Sequence, residues 1–152
     1  MTSPDAGRTS RLVVPPAAED FLRAHTRTFL LTLRPDGAPT CHPMVGLWRD
    51  GALWLNTYRK SAKVRNLTAE PRVACVVVTD DDEPRFRGVV LRGRAEVVPA
   101  PVAPAGGPDA RAPRPPGVGA EVTQRVSTRL AEGKRVLIRI VPEAVRLVGE
   151  HG

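Results

Sequence analysis

Aromatic residues make up only 4% of the chain, which leaves few stacking platforms for single-stranded bases. Cys41 and Cys75 allow at most one bridge, so no disulfide framework is present; each lies in an apolar, strand-like stretch where a small buried side chain is expected. The longest apolar run, Val73 to Val78, falls far short of the ~18 residues of a membrane span. No charged-then-apolar leader opens the chain, and the expectation is a cytoplasmic protein with no membrane partner. The three histidines, His25, His42 and His151, are scattered, and adjacent Cys41 and His42 point to opposite faces of a strand, so no metal centre is expected. The strings G-x-S-x-G and G-x-G-x-x-G and the Walker Gly-Lys-Ser/Thr pattern are absent, which argues against serine-hydrolase, Rossmann and P-loop chemistry.

What remains is a chain of 152 residues, 41% hydrophobic, long enough for one core and too short for two full domains. Lys and Arg number 23 against 16 Asp and Glu, a net charge of +7 that suits an anionic partner without choosing among nucleic acid, lipid and small anions. With no recognisable reading helix and few aromatics, nucleic acid ranks last and is not expected as a partner. Trp48 and Trp54 read as core or interface anchors.

Residues 1–16 mix small, polar and basic residues ahead of Pro15-Pro16 and read as a flexible tail. A short helix is expected over Ala17 to His25, with Glu19 and Asp20 in its first turn. Thr28 to Leu33 reads as a strand, Arg34 to Gly37 as a tight reversal, and Ala38 to Trp48 as a returning strand. Pro39 and Pro43 cannot donate to a ladder, so this second strand belongs at an edge or is bulged, beside something other than a central neighbour. A third strand, Ala52 to Thr57, completes a meander. Ser61 is placed to cap a helix with Val64 and Leu67 on one face and Pro71 as its stop.

Arg72 to Thr79 is the strongest strand signal, and an acidic turn leads to a long strand, Arg85 to Val98, whose Gly88 and Gly93 suggest bulges or a close neighbour. Seven of the sixteen prolines fall between Pro99 and Val118, so residues 99–119 read as a flexible Pro/Gly-rich insertion. Helical spacing follows over Ala120 to Glu132, and a last strand, Arg135 to Val148, is bent at Pro142. With no βαβ alternation, residues 17–150 are expected to form a single mainly β (α+β) domain. Its six antiparallel strands make a small barrel with short peripheral helices. A helix or a second subunit would cover any open side, which favours a homodimer.

The window from Asn56 to Leu67 passes from a strand end to a helix start with Arg59, Lys60, Lys63, Arg65 and Arg72 in or near it, against the single acid Glu70. Such a junction suits a phosphate: unpaired amides and the helix dipole favour negative charge, and Lys, Arg and the hydroxyls of Thr57 and Ser61 add donors. A solvated basic helix capped by Ser61 is the plain alternative.

The ordered set F-L-L-T-L-R-P-D-G-A-P-T, P-M-V-G-L-W, L-W-L-N-T-Y-R-K-S-A-K-V-R-N-L-T-A-E-P-R-V and R-G-V-V-L-R-G-R-A-E-V-V resembles the pyridoxamine-phosphate-oxidase-like superfamily of split β-barrel flavoproteins. The resemblance covers residues 17–98 and, more loosely, 120–148, and is nearest to the branch of flavin- and deazaflavin (F420)-dependent oxidoreductases. It implies an FMN-binding-like split barrel that is a homodimer with the cofactor at the interface. It places the cofactor phosphate on Thr57, Ser61 and Lys63. Ala62 stands where a basic residue is common, with Arg59 and Lys60 as the candidates to compensate. The ring would lie along the second strand, His42, Pro43, Met44, Val45, Gly46 and Leu47, with Asn56 nearby. The implied activity is hydride transfer between the bound ring and a small organic substrate, with no obligatory acid or base identified. F420 is the first expectation, because its phosphate and polyglutamate tail suit a basic groove, and FMN is the alternative. A non-catalytic flavin or haem carrier or sensor on the same barrel is the competing reading.

Overall fold

A computed structural model describes residues 12–99 and 134–149. The tail before residue 12, the insertion from residue 100 onward and the helix expected over 120–132 lie outside the described residues. Within them the order is α1 (Pro16–Ala24), β1 (Arg27–Leu33), β2 (Pro39–Arg49), β3 (Ala52–Tyr58), α2 (Ala62–Ala69), β4 (Arg72–Val78), β5 (Gly88–Pro99) and β6 (Arg135–Val148). The strands close into an antiparallel barrel in the order β1-β2-β3-β6-β5-β4. Alternation along the strands fills it: Leu30, Leu53, Leu55, Cys75, Val77, Val89, Leu91, Ile138 and Ile140 are at most 1% exposed.

The turns have the chemistry their residues dictate. Gly37, at φ +84°, donates to the Arg34 carbonyl at 2.8 Å, and Asp36 accepts from the Ala38 amide. Asp50 and Gly51 both sit at positive φ, which gives the two-residue hairpin between β2 and β3 the twist its strands need. Gly93 faces the Val141 carbonyl so closely that a Cβ there would lie 2.1 Å from its oxygen. The β5–β6 register shifts beside Gly93, opposite Pro142, so the expected bend is a bulge. The expected fifth strand begins at Gly88 rather than Arg85, because Thr79 to Arg87 form a loop. That loop is held by Thr79–Arg87 hydrogen bonds and by Glu83, which bonds the His25 ring at the end of α1.

The helices plug opposite ends. α1 buries Ala18, Phe21 and Leu22 near the acidic loop; α2 buries Val64, Asn66 and Leu67 at the end where β1 finishes. The expected burial of the cysteines holds for Cys75, whose thiol is pushed up to about 12 by burial, and fails for Cys41. Cys41 lies on the outward side of β2, where residues alternate exposed and half-buried from Pro39 to Val45.

One irregularity in the barrel positions the site. β2 and β3 pair only from Gly46↔Leu55 to Arg49↔Ala52. Beyond that point residues 39–45 of β2 have β1 on one side, and residues 56–58 of β3 have β6 on one side, with no strand joining the two among the described residues. A wedge opens between them. Gly46 stands at its apex, where a Cβ would lie 2.5 Å from Thr28 Oγ1 and 3.0 Å from Leu53 Cδ1, so only glycine lets β2 stay this close while it leaves β3. The Gly46 amide donates to the Thr26 carbonyl at 2.8 Å. Counting back by twos, the N–H groups of Met44, His42 and Thr40 face β1, and positions 45, 43, 41 and 39 face the wedge. Pro43 and Pro39 therefore occupy the unpaired edge, where a missing N–H breaks no ladder.

Candidate cofactor-binding site at the β3–α2 junction

The chain leaves β3 at Tyr58 and turns back at Ser61, whose amide donates to the Tyr58 carbonyl at 3.0 Å. Ser61 caps α2: its Oγ accepts from the Val64 amide at 3.4 Å. The same oxygen accepts from Thr57 Oγ1 at 3.4 Å, and Lys63 reaches back so that Nζ donates to Thr57 Oγ1 at 3.2 Å. Thr57 is 3% exposed, so the cluster is anchored in the barrel wall. The first-turn amides of α2 have no carbonyl to bond within the helix and add to its positive end.

A second cation joins them from β6. Arg135 pairs with Tyr58 across the strands, donates to Asn56 Oδ1 at 3.2 Å and lies over the Tyr58 ring at 4.1 Å. Its Nε is buried without a hydrogen-bond partner. Burial first, and then the Arg135 charge, hold the Lys63 pKa below the ordinary lysine range. Burial and the Lys63 charge likewise lower that of His42, the half-buried histidine on the inward face of β2. No carboxylate bonds either cation among the described residues; the nearby acid, Glu70, is engaged by Arg72. An anion beside Lys63 and Arg135 would relieve the repulsion between them.

The structure thus brings together Thr57, Ser61, Lys63, His42 and, through Arg135, Asn56. Pro43, Val45 and Leu47 sit on the outward side of β2, whereas His42, Met44 and the buried Gly46 sit inward. Arg59 and Lys60 are exposed on the turn, where the Arg59 amide and the Lys60 carbonyl are bonded by Lys134 and Arg65. The sequence reading missed Arg135. Its only signal was a basic residue opening the last strand, and its place opposite Tyr58 depends on a pairing between elements some 80 residues apart.

These residues fit a flavin-type phosphate: two hydroxyls, an ammonium, a guanidinium with an unpartnered nitrogen, and a capped helix start, beside an unpaired strand edge. Among the described residues, no group of three or more His, Cys, Asp or Glu is placed to hold a metal.

The family model for pyridoxamine 5'-phosphate oxidase matches residues 14–149. The chain belongs to this family. No curated protein matches it. Among solved structures, this pyridoxamine 5'-phosphate oxidase family member is similar to a conserved hypothetical protein from Mycobacterium tuberculosis. The two share 28% identity at a TM-score of 0.63, covering 91% of this chain and 86% of that one. It is also similar to an F420 reductase, with 27% identity and a TM-score of 0.62 over 88% of this chain and 98% of that one. A heme binding protein from Mycobacterium smegmatis, 23% identical at a TM-score of 0.63 over 93% of this chain and 57% of that one, shares the fold. The six-stranded split barrel expected from the sequence is the fold of the family.

Proposed function

We propose that the protein is an F420- or FMN-dependent oxidoreductase that moves hydride between the bound ring and a small organic substrate. The observation that supports this reading is the cluster of Thr57, Ser61, Lys63 and Arg135 at the positive end of α2, two cations with no carboxylate bonded to them among the described residues. When bound, the (deaza)flavin ring supplies the hydride donor or acceptor. The chain's own residues hold and orient it. Lys63, Arg135 and the two hydroxyls fix the phosphate, and the unpaired edge of β2 offers the Cys41 and Val45 amides beside the carbonyls of residues 39, 41, 43 and 45. Likeness to an F420 reductase favours F420, and FMN is the alternative.

The reading includes a homodimer with the cofactor at its interface. The outward face of β2 supports it: Cys41, Pro43 and Val45 are exposed there and lie beside half-buried Leu31 and Phe29 of β1. Apolar surface of this kind suits a second copy of the chain.

The test is to measure dissociation constants for FMN and F420 separately on the wild-type protein and Lys63→Ala. Tight binding of one by the wild type and at least a tenfold loss in the variant are expected. Equal binding by the two proteins removes the phosphate site. A cofactor that binds but is never turned over with enones or quinones assigns the protein as a non-catalytic carrier instead.

A further inference from the structure

Behind the wedge, four polar side chains run in a line from α2 to β2. Asn66 Nδ2 donates to Thr32 Oγ1 at 3.0 Å and, at 3.4 Å, to Thr40 Oγ1. The Thr32 and Thr40 hydroxyls are 2.8 Å apart, and Thr40 Oγ1 lies 3.1 Å from His42 Nε2.

Acceptor counting favours one direction for each proton. Thr32 is 1% exposed and its oxygen receives the Asn66 amide, so among the described residues its own proton has Thr40 Oγ1 as acceptor. The Thr40 proton then has two candidates, His42 Nε2 at 3.1 Å and the Thr32 carbonyl at 3.4 Å. That carbonyl already serves the ladder: Thr32 and Thr40 are partners in the β1–β2 register, six residues in step with the Gly46–Thr26 bond, so the Thr40 amide points at it. With that carbonyl engaged and at the longer of the two distances, Nε2 is the better acceptor for the Thr40 proton. In that arrangement Nε2 is the unprotonated nitrogen of a neutral ring and the imidazole proton sits on Nδ1. Nδ1 has no hydrogen-bond partner among the described residues.

We propose that the Asn66–Thr32–Thr40 line locks His42 as its neutral Nδ1–H tautomer so that this N–H gives one hydrogen bond to an acceptor atom of the ligand's ring in the wedge. The identity of the ring rests on the functional reading above; the tautomer does not. His42 is a specificity and positioning residue: a third cation beside Lys63 and Arg135 would favour any anion, whereas a single neutral donor of fixed direction selects a ring that presents an acceptor. The lowered pKa of His42 agrees with the neutral form.

Nitrogen NMR of the full chain without ligand, above the His42 titration, tests the tautomer. Nδ1 is expected to be the protonated nitrogen in the wild type and in Thr40→Ser, which keeps the hydroxyl. In Thr40→Val the ring is expected to move toward the Nε2–H form that free imidazole favours. An Nε2–H ring in the wild type, or no change in Thr40→Val, overturns the lock. Affinity for FMN and F420 tests the use of the N–H. His42→Leu is expected to bind about tenfold more weakly, and His42→Asn, whose amide nitrogen stands near the Nδ1 position, to retain most of the affinity. Bound cofactor with undiminished affinity in His42→Leu overturns the role of His42 alone, whereas binding of neither cofactor by the wild type overturns the functional reading beneath it.

Discussion

The Lys63 ammonium lies 3.2 Å from the Thr57 hydroxyl, a contact that spans the junction between β3 and α2 and turns a lysine of the helix back over the barrel mouth. From there its charge acts on His42 across the wedge. Lys63→Ala removes that charge, so the His42 pKa should rise toward the ordinary histidine value, though not reach it, because burial still disfavours the imidazolium. An NMR titration of the His42 ring in the two proteins reads the shift, and an unchanged midpoint would show that the two side chains do not share a site.

Arg135 should matter to anion binding as much as Lys63. Arg135→Ala is expected to weaken FMN binding about tenfold, the scale of one charge-assisted hydrogen bond. Arg135→Lys should recover only part of that, because an ammonium cannot both bond Asn56 and lie flat on Tyr58. Titration calorimetry on the three proteins decides it; full recovery in the lysine variant would reduce the guanidinium to a point charge.

Gly93→Ala should destabilise the barrel by about 1–3 kcal/mol, since its Cβ would press on the Val141 backbone rather than on a side chain that can swing away. Urea unfolding followed by circular dichroism measures this. A variant as stable as the wild type would mean that the bulge relaxes freely.

Val45→Asp places a charge on the outward face of β2 at a position 46% exposed in the single chain. If that face joins two copies, light scattering should show a dimer for the wild type and a monomer for the variant. A dimer unaffected by the charge would move the interface elsewhere.

The elements were legible where local chemistry decides them: the Asp50-Gly51 hairpin, the Ser61 cap, the glycines of β5, and the two prolines that demanded an edge. The β3–α2 corner was legible for the same reason, because Thr57, Ser61 and Lys63 lie within seven residues. What the sequence could not display was anything set by pairing across the barrel. Arg135 reaches the site only because β6 lies beside β3, and Asn66 reaches Thr32 only because α2 folds over the end of β1. Cys41 looked buried because it lies in a strand-like stretch where a small side chain usually packs inside, yet the phase of the alternation set by Gly46 turns it outward.

The two prolines of β2 have an effect beyond tolerating the missing ladder. An open strand side is normally a template on which a stray extended segment, from the same chain or another, can zip itself in. With Pro39 and Pro43 in every other slot along this edge, an intruding strand would find only half the amide donors it needs, so the edge resists being stitched to another strand.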